Sequence, residues 1–282
     1  MSVTVKYKGN SIAELTETST KTLKTSGKYC EADIVVENTK DGGAAITDGI
    51  VVKARNSDGN PTEIDYYNST GAIPRLEFGN SRAAGIGSWS AGYLTKINLK
   101  DNAYTVGRDA FYNCANLTTI DFSKFTEFPN AESGNRGWES QFRSCKGLTI
   151  IDAPNLIGGL GCFAFYECTG ITTVNMPKIN ALHGYGKAGR GCFGGCTAMT
   201  TASFGSIGHP IETINNAAFG GCTQIGLTIT VYTTGSYADT ALTNIRNGAT
   251  NATIIIKAAE ATTYNGTAYS AGETIITSEV TA

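Results

Sequence analysis

One phrase recurs five times between residues 111 and 225: a phenylalanine, a cysteine three residues later, and an aliphatic residue three after that. The copies are Phe111/Cys114/Leu117, Phe142/Cys145/Leu148, Phe165/Cys168/Ile171, Phe193/Cys196/Met199 and Phe219/Cys222/Ile225. Successive phenylalanines are 31, 23, 28 and 26 residues apart. A repeat of roughly 20 to 50 residues is the mark of an array in which each unit is one small structural element that cannot bury its apolar side alone. Such a unit is ordered only by its neighbours, so the chain must stack.

The phrase extends in both directions. A small residue precedes the phenylalanine in three copies (Ala110, Ala164, Ala218), while Gln141 and Cys192 take that place in the others. After the aliphatic residue come Thr118-Thr-Ile-Asp-Phe122, Thr149-Ile-Ile-Asp-Ala-Pro154 and Thr172-Thr-Val-Asn-Met-Pro177. Leu94-Thr-Lys-Ile-Asn-Leu99 is a leading copy of the strand half. Leu117, Ile120 and Phe122 then alternate inward along a short strand, with Phe and Cys filling the turn or short helix before it. The expected fold is mainly β with short helical turns, a leucine-rich repeat solenoid over 94 to 225 with a parallel sheet on one side. The excess length falls between a strand and the next phenylalanine, which predicts insertions at 128 to 141, 179 to 191 and 205 to 217 on a common side.

The flanks read differently. Residues 1 to 42 form a small β module, with Val3–Tyr7 and Asp33–Glu37 as strands and Asp41-Gly-Gly as the joint. Residues 43 to 93 contain two strands, Ile50–Ala54 and Thr62–Tyr67, about a turn at 56 to 61, and are expected to cap the N-terminal end of the solenoid. Residues 226 to 282 hold Leu227–Tyr232, Ala252–Lys257 and a hairpin at Tyr264-Asn-Gly-Thr, the makings of a β-rich C-terminal cap.

Charged residues are 16% of the chain, and 22 basic against 24 acidic residues leave a formal net charge of -2. No window gathers the basic cluster that a phosphate backbone demands, so nucleic acid is not an expected partner. The start of the chain lacks the apolar stretch of a signal peptide, and no apolar run reaches the roughly 18 residues of a membrane span. The expectation is a soluble, uncleaved chain without membrane insertion.

The run Val106-Gly-Arg-Asp-Ala-Phe111-Tyr-Asn-Cys114-Ala-Asn-Leu117-Thr-Thr-Ile120, repeated as Ile214-Asn-Asn-Ala-Ala-Phe219-Gly-Gly-Cys222, resembles the BspA-type leucine-rich repeat family. That resemblance implies a surface-displayed, non-enzymatic role in recognition or adhesion. A second resemblance lies in Val5-Lys-Tyr-Lys-Gly-Asn-Ser-Ile12 and in residues 20 to 34, which look like a leader segment of tail-associated structural proteins in phages and prophages of gut Firmicutes. It implies docking to other virion structural proteins through residues 1 to 42, and a homo-oligomer.

Motifs that could carry chemistry have simpler explanations. Cys114, Cys145, Cys168, Cys196 and Cys222 hold one position of the repeat, so they are expected to form a buried ladder with Phe111, Phe142, Phe165, Phe193 and Phe219. Parallel Cβ vectors do not converge as a disulfide requires. Zinc bound through pairs such as Cys162/Cys168 or Cys192/Cys196 would want histidines, and the chain has only His183 and His209. No metal and no cofactor is expected. Gly184-Tyr-Gly-Lys-Ala-Gly189 fits a dinucleotide fingerprint formally but lacks the βαβ context. Residues 56 to 63 carry oxygen ligands without EF-hand spacing, and read as a turn. No catalytic residue stands out, and the chain is expected not to be an enzyme.

The insertions are the expected contact surface. Arg136, Trp138 and Glu139 lie in one, and His183, Tyr185, Lys187 and Arg190 in the next. Aromatic rings beside planar polar groups suit sugar stacking or a protein hot spot, whereas Trp138 folded back over the solenoid edge would serve packing only. The expected function is a virion-associated attachment protein that presents the solenoid to a host-surface glycan or protein. The alternatives are a bacterial cell-surface adhesin or a purely structural virion decoration.

Overall fold

The computed structural model describes residues 2–7, 10–16, 48–58, 60–68, 71–73, 92–100, 103–129, 140–184 and 190–279. The repeated phrase explains why the stack forms. In all five copies the residue just before the cysteine has a left-handed backbone: Asn113, Ser144, Glu167, Gly195 and Gly221, with φ between 59° and 80°. Three of them are Asn or Gly, the residues that adopt this conformation most readily. The reversal ends the Phe-centred turn and aims backbone N–H groups along the stack. Phe142 and Ser144 donate to the carbonyls of Ala164 and Tyr166, and Phe165 and Glu167 to those of Cys192 and Gly194, at 2.7 to 2.8 Å.

The cysteines close the same joint from the other side. Cys145, Cys168, Cys196 and Cys222 each donate Sγ–H to the carbonyl oxygen of the phenylalanine one repeat earlier, Phe111, Phe142, Phe165 and Phe193, at 3.0 to 3.2 Å. The position therefore calls for a small buried side chain that is also a weak donor, which is cysteine. The rings stack beside them. Consecutive centroids from Phe111 to Phe219 lie 4.5 to 5.8 Å apart with planes within 9°, and all five rings are fully buried.

In chain order, β1 (Ser2–Tyr7) pairs antiparallel with β2 (Asn10–Thr16). The expected partner strand Asp33–Glu37 lies outside the described residues. β3 (Asp48–Arg55) and β4 (Pro61–Asn68) make the hairpin anticipated in 43 to 93. Its turn is closed by Asn56 Oδ1, which accepts from the backbone N–H of Asp58 and Asn60. β5 (Ala72–Ile73) follows.

The repeats then contribute strands in pairs: β6 (Lys96–Leu99) and β7 (Tyr104–Val106), β8 (Thr119–Ile120) and β9 (Phe125–Glu127), β10 (Ile150–Asp152) and β11 (Gly158–Leu160), β12 (Thr173–Met176) and β13 (Ile179–Leu182), β14 (Thr201–Phe204) and β15 (Thr213–Ile214). The first members pair in parallel, as β4-β6-β8 and as β10-β12-β14, which β16 (Thr228–Thr233) and β17 (Thr253–Ala258) continue. The second members form two further parallel sheets, β5-β7-β9 and β11-β13-β15. The expectation of parallel pairing on one side was thus too narrow. Residues 179 to 182 and 213 to 214, read as insertion, are strands of this second set. Their inward residues Ile179, Leu182 and Ile214 are buried, and strands this short do not show period-2 alternation in a sequence.

The register also corrects the fifth repeat. Ile225 is 85% exposed, and Leu227 fills the buried place of Leu117 and Leu148. The segment from Cys222 to its strand is one residue longer than its counterparts: Thr228, six residues after Cys222, faces Thr201, five residues after Cys196, across the ladder.

The parallel ladder runs on past residue 225 and ends through a change of element. The α-helix α1 (Ala238–Arg246) takes the place of another second-set strand. Tyr237 Oη accepts from Ile214 N–H at 2.6 Å and Asn244 Nδ2 donates to Ile214 C=O at 2.7 Å, so side chains satisfy the backbone edge of β15. This helix was not anticipated, although Ala238, Ala241 and Ile245 are spaced for one face. β18 (Thr262–Tyr264) and β19 (Thr267–Tyr269) form the expected hairpin over Asn265-Gly266, both with positive φ. β20 (Thr274–Ser278) pairs antiparallel with β17.

Candidate binding surface

The outward faces of the first-set strands carry two kinds of threonine. One row sits just before the strands. Thr95, Thr118, Thr172 and Thr200 donate Oγ1–H to the carbonyls of Thr62, Thr95, Thr149 and Thr172 at 3.0 to 3.1 Å, tying each repeat to the one before it. The second row lies in the strands. Thr173, Thr201, Thr228 and Thr253 face one another across consecutive pairs, and Asn175, Ser203 and Thr230 form a parallel row two residues on. Strand alternation dictates this arrangement: Val174, Ala202, Ile229 and Ile254 point inward and are buried.

The N-terminal end of the face is charged. Asn98 Nδ2 donates to Glu63 Oε1 at 3.0 Å and to Asp65 Oδ1 at 2.8 Å. Lys96 pairs with Glu63 at 3.0 Å and Lys100 with Asp65 at 3.4 Å. The Asn98 hydrogen bond, then that of Lys96, hold the Glu63 carboxyl below the usual glutamate value.

Of the expected contact residues, Arg136, Trp138, Glu139, Tyr185 and Lys187 lie outside the described residues. His183 and Arg190 flank one segment whose ends are clasped by a Gly184–Gly191 bridge and by Cys192 N–H donating to His183 C=O at 3.0 Å. Arg190 is exposed. His183, expected on the contact surface, is only 9% exposed, and its Nδ1 lies 3.3 Å from Asn215 Oδ1. Gly159 makes room for it, since a Cβ there would lie 3.0 Å from Nε2.

Sequence reading also passed over Arg143. Its guanidinium lies over the rings of Tyr112, Phe163 and Tyr166, 4.9 to 5.6 Å from their centroids. The contact joins three repeats on the turn side, and its one sequence signal is aromatic residues flanking the Phe-Cys phrase. Five of the buried thiols are poor nucleophiles. Burial pushes Cys168 and Cys222 up to about 12 and Cys145, Cys192 and Cys196 well above the ordinary thiol value. Among the described residues no helix is long and apolar enough to cross a membrane.

A stack of short parallel strands, each opened by a Phe-Cys turn and carrying polar residues outward, defines a leucine-rich repeat protein of the protein-binding, adhesin-like kind. The chain belongs to the BspA type leucine rich repeat family: six copies of the repeat match over residues 83–133 and 138–239, just over half of its length. Repeats of this family are typically non-enzymatic and typically displayed on the bacterial cell surface. No curated protein and no solved structure matches the chain.

Proposed function

We propose that this protein is a non-enzymatic recognition protein whose stacked repeats form a solenoid presented to a host-surface glycan or protein. The observation that carries this reading is the six-copy repeat match, together with a described core built of stacked Phe and buried, weakly acidic Cys. A core of that kind supports a long surface and supplies no reacting group. Arg136, Trp138, Glu139, His183, Tyr185, Lys187 and Arg190 are the proposed contact residues of the inter-strand segments.

Two platforms for display are proposed. The resemblance of the N-terminal segment favours a phage particle, docked through residues 1 to 42 to other structural proteins, with the chain as a homo-oligomer. The family favours the bacterial cell surface. Mass spectrometry of purified particles and of the cell-surface fraction separates them: the chain enriched in particles supports the first, and its confinement to the cell surface refutes it. Binding of the purified protein to host cells, lost on Trp138→Ala, tests the recognition role. A protein that is abundant in particles yet binds no cell is a decoration.

A further inference from the structure

We infer that the row Thr173, Thr201, Thr228 and Thr253, with Ser203 and Thr230 beside it, is a docking surface for a neutral polysaccharide. The inference rests on the recognition role proposed above and names its ligand class. It begins from a difference between two sets of threonines. The pre-strand hydroxyls are all engaged within the fold, each on a carbonyl of the preceding repeat. The in-strand hydroxyls of Thr173, Thr201, Thr228, Thr253, Ser203 and Thr230 make no hydrogen bond among the described residues. The fold engages the hydroxyls of the first set, whereas in the second set the β-branched side chain suits the strand and the hydroxyl is left facing outward.

Geometry makes the second set cooperative. Parallel pairing in register places one threonine on each of four neighbouring strands, at steps of about 4.8 Å, with the second row about 6.6 Å further along the strands. Threonine is stiff at χ1, so each hydroxyl and methyl is held in place before any ligand arrives. An extended hexose chain laid across the strands advances about one strand per sugar. Its hydroxyls then meet threonine hydroxyls and its C–H edges meet the methyls.

Charge and shape select against other partners. β12, β14 and β16 carry no charged side chain, so neither phosphate nor sulfate finds a counter-charge at the centre of the face. Their outward residues are Thr, Asn and Ser up to Tyr232, whose ring lies 5.6 Å from the Lys257 ammonium at the end of the strand. A protein partner would want desolvated aromatic or arginine anchors, and this row has none. Each sugar contact is weak, and affinity arises from repetition along one chain.

The test is retention of the full chain on insoluble cellulose, chitin, β-1,3-glucan and α-mannan, with heparin resin as the charged control. Wild-type protein is expected to be retained on at least one neutral polymer. Two double variants, Thr201→Val with Thr228→Val and Thr173→Val with Thr253→Val, keep shape and remove hydroxyls; each is expected to bind at least tenfold more weakly with unchanged far-UV circular dichroism. Two variants guard against one failing to fold. Retention on none of the neutral polymers, retention on heparin alone, or wild-type retention by either folded variant overturns the inference. The same proteins are assayed for binding to host cells. Equal cell binding by wild type and variants sinks the threonine row while leaving recognition standing, and no cell binding by wild type sinks both.

Discussion

Replacing Phe165 by alanine cuts the ring ladder at its middle. The ring is fully buried and lies between Phe142 and Phe193, each 5.4 Å away and nearly parallel. Phe122 and Phe128 close on it from the side at 6.1 Å. Removing a core phenylalanine costs about 3 to 5 kcal/mol, and the four ring neighbours, held by their own repeats, cannot collapse into the space. We therefore expect about 4 kcal/mol, a fall of about 1.3 M in the urea midpoint if the slope is about 3 kcal/mol/M. Because each repeat touches mainly its neighbours, the damage should also divide the unfolding transition, with repeats on either side of Phe165 losing amide protection separately. Urea melts followed by circular dichroism, with hydrogen exchange read by mass spectrometry, measure both effects. Phe165→Leu, which keeps most of the volume, should cost about 1 kcal/mol. A midpoint shift under about 0.3 M for the alanine variant would refute the stacked-ring account of the core.

Further expectations follow from the same geometry. Ile225→Ala should change stability by less than about 0.5 kcal/mol and Leu227→Ala should cost about 2 to 5 kcal/mol; equal effects in thermal melts would mean the register of the fifth repeat is misassigned. The seven buried thiols should resist a thiol reagent at pH 8.5 in the native state and react fully in denaturant, and native labelling of Cys168 would contradict its burial. Glu63 should titrate below ordinary glutamate by NMR and move up in Asn98→Ala, then less in Lys96→Met, because the folded state favours its charged form. Its contribution to stability is thus present above the unfolded-state value and is lost as pH falls through the folded one; an unchanged Glu63 titration in Asn98→Ala would exclude that hydrogen bond as the cause. Arg246→Ala should raise hydrogen exchange in β20, since Arg246 bonds the carbonyls of Ala252, at 2.7 Å, and Ser278, at 3.1 Å; wild-type protection there would show the clamp to be unnecessary.

The amino-acid sequence by itself determined the repeat and which of its side chains make the core, but not the extent of the parallel ladder, which takes in β4 and β5 before residue 94 and β16 and β17 after residue 225. The repeat survives in one dimension because a Phe, a Cys and an aliphatic residue recur wherever the same place in the stack must be filled. It also carried the hairpins, since Asn265-Gly266 and the 56 to 61 turn are local chemistry. What only the tertiary structure decided are relations between repeats. The cysteines were legible as small buried residues, but their carbonyl partners lie 26 to 34 residues away. The second set of strands was hidden because strands as short as Gly158–Leu160 and Thr213–Ile214 have no period of their own and are stabilised by pairing with their counterparts in the next repeat. Ile225 and Leu227 are equally apolar, and only the ladder registering Thr228 on Thr201 assigns one to solvent and the other to the core. The same register separates threonines engaged on a neighbour's carbonyl from those left facing outward, a distinction that no single repeat contains.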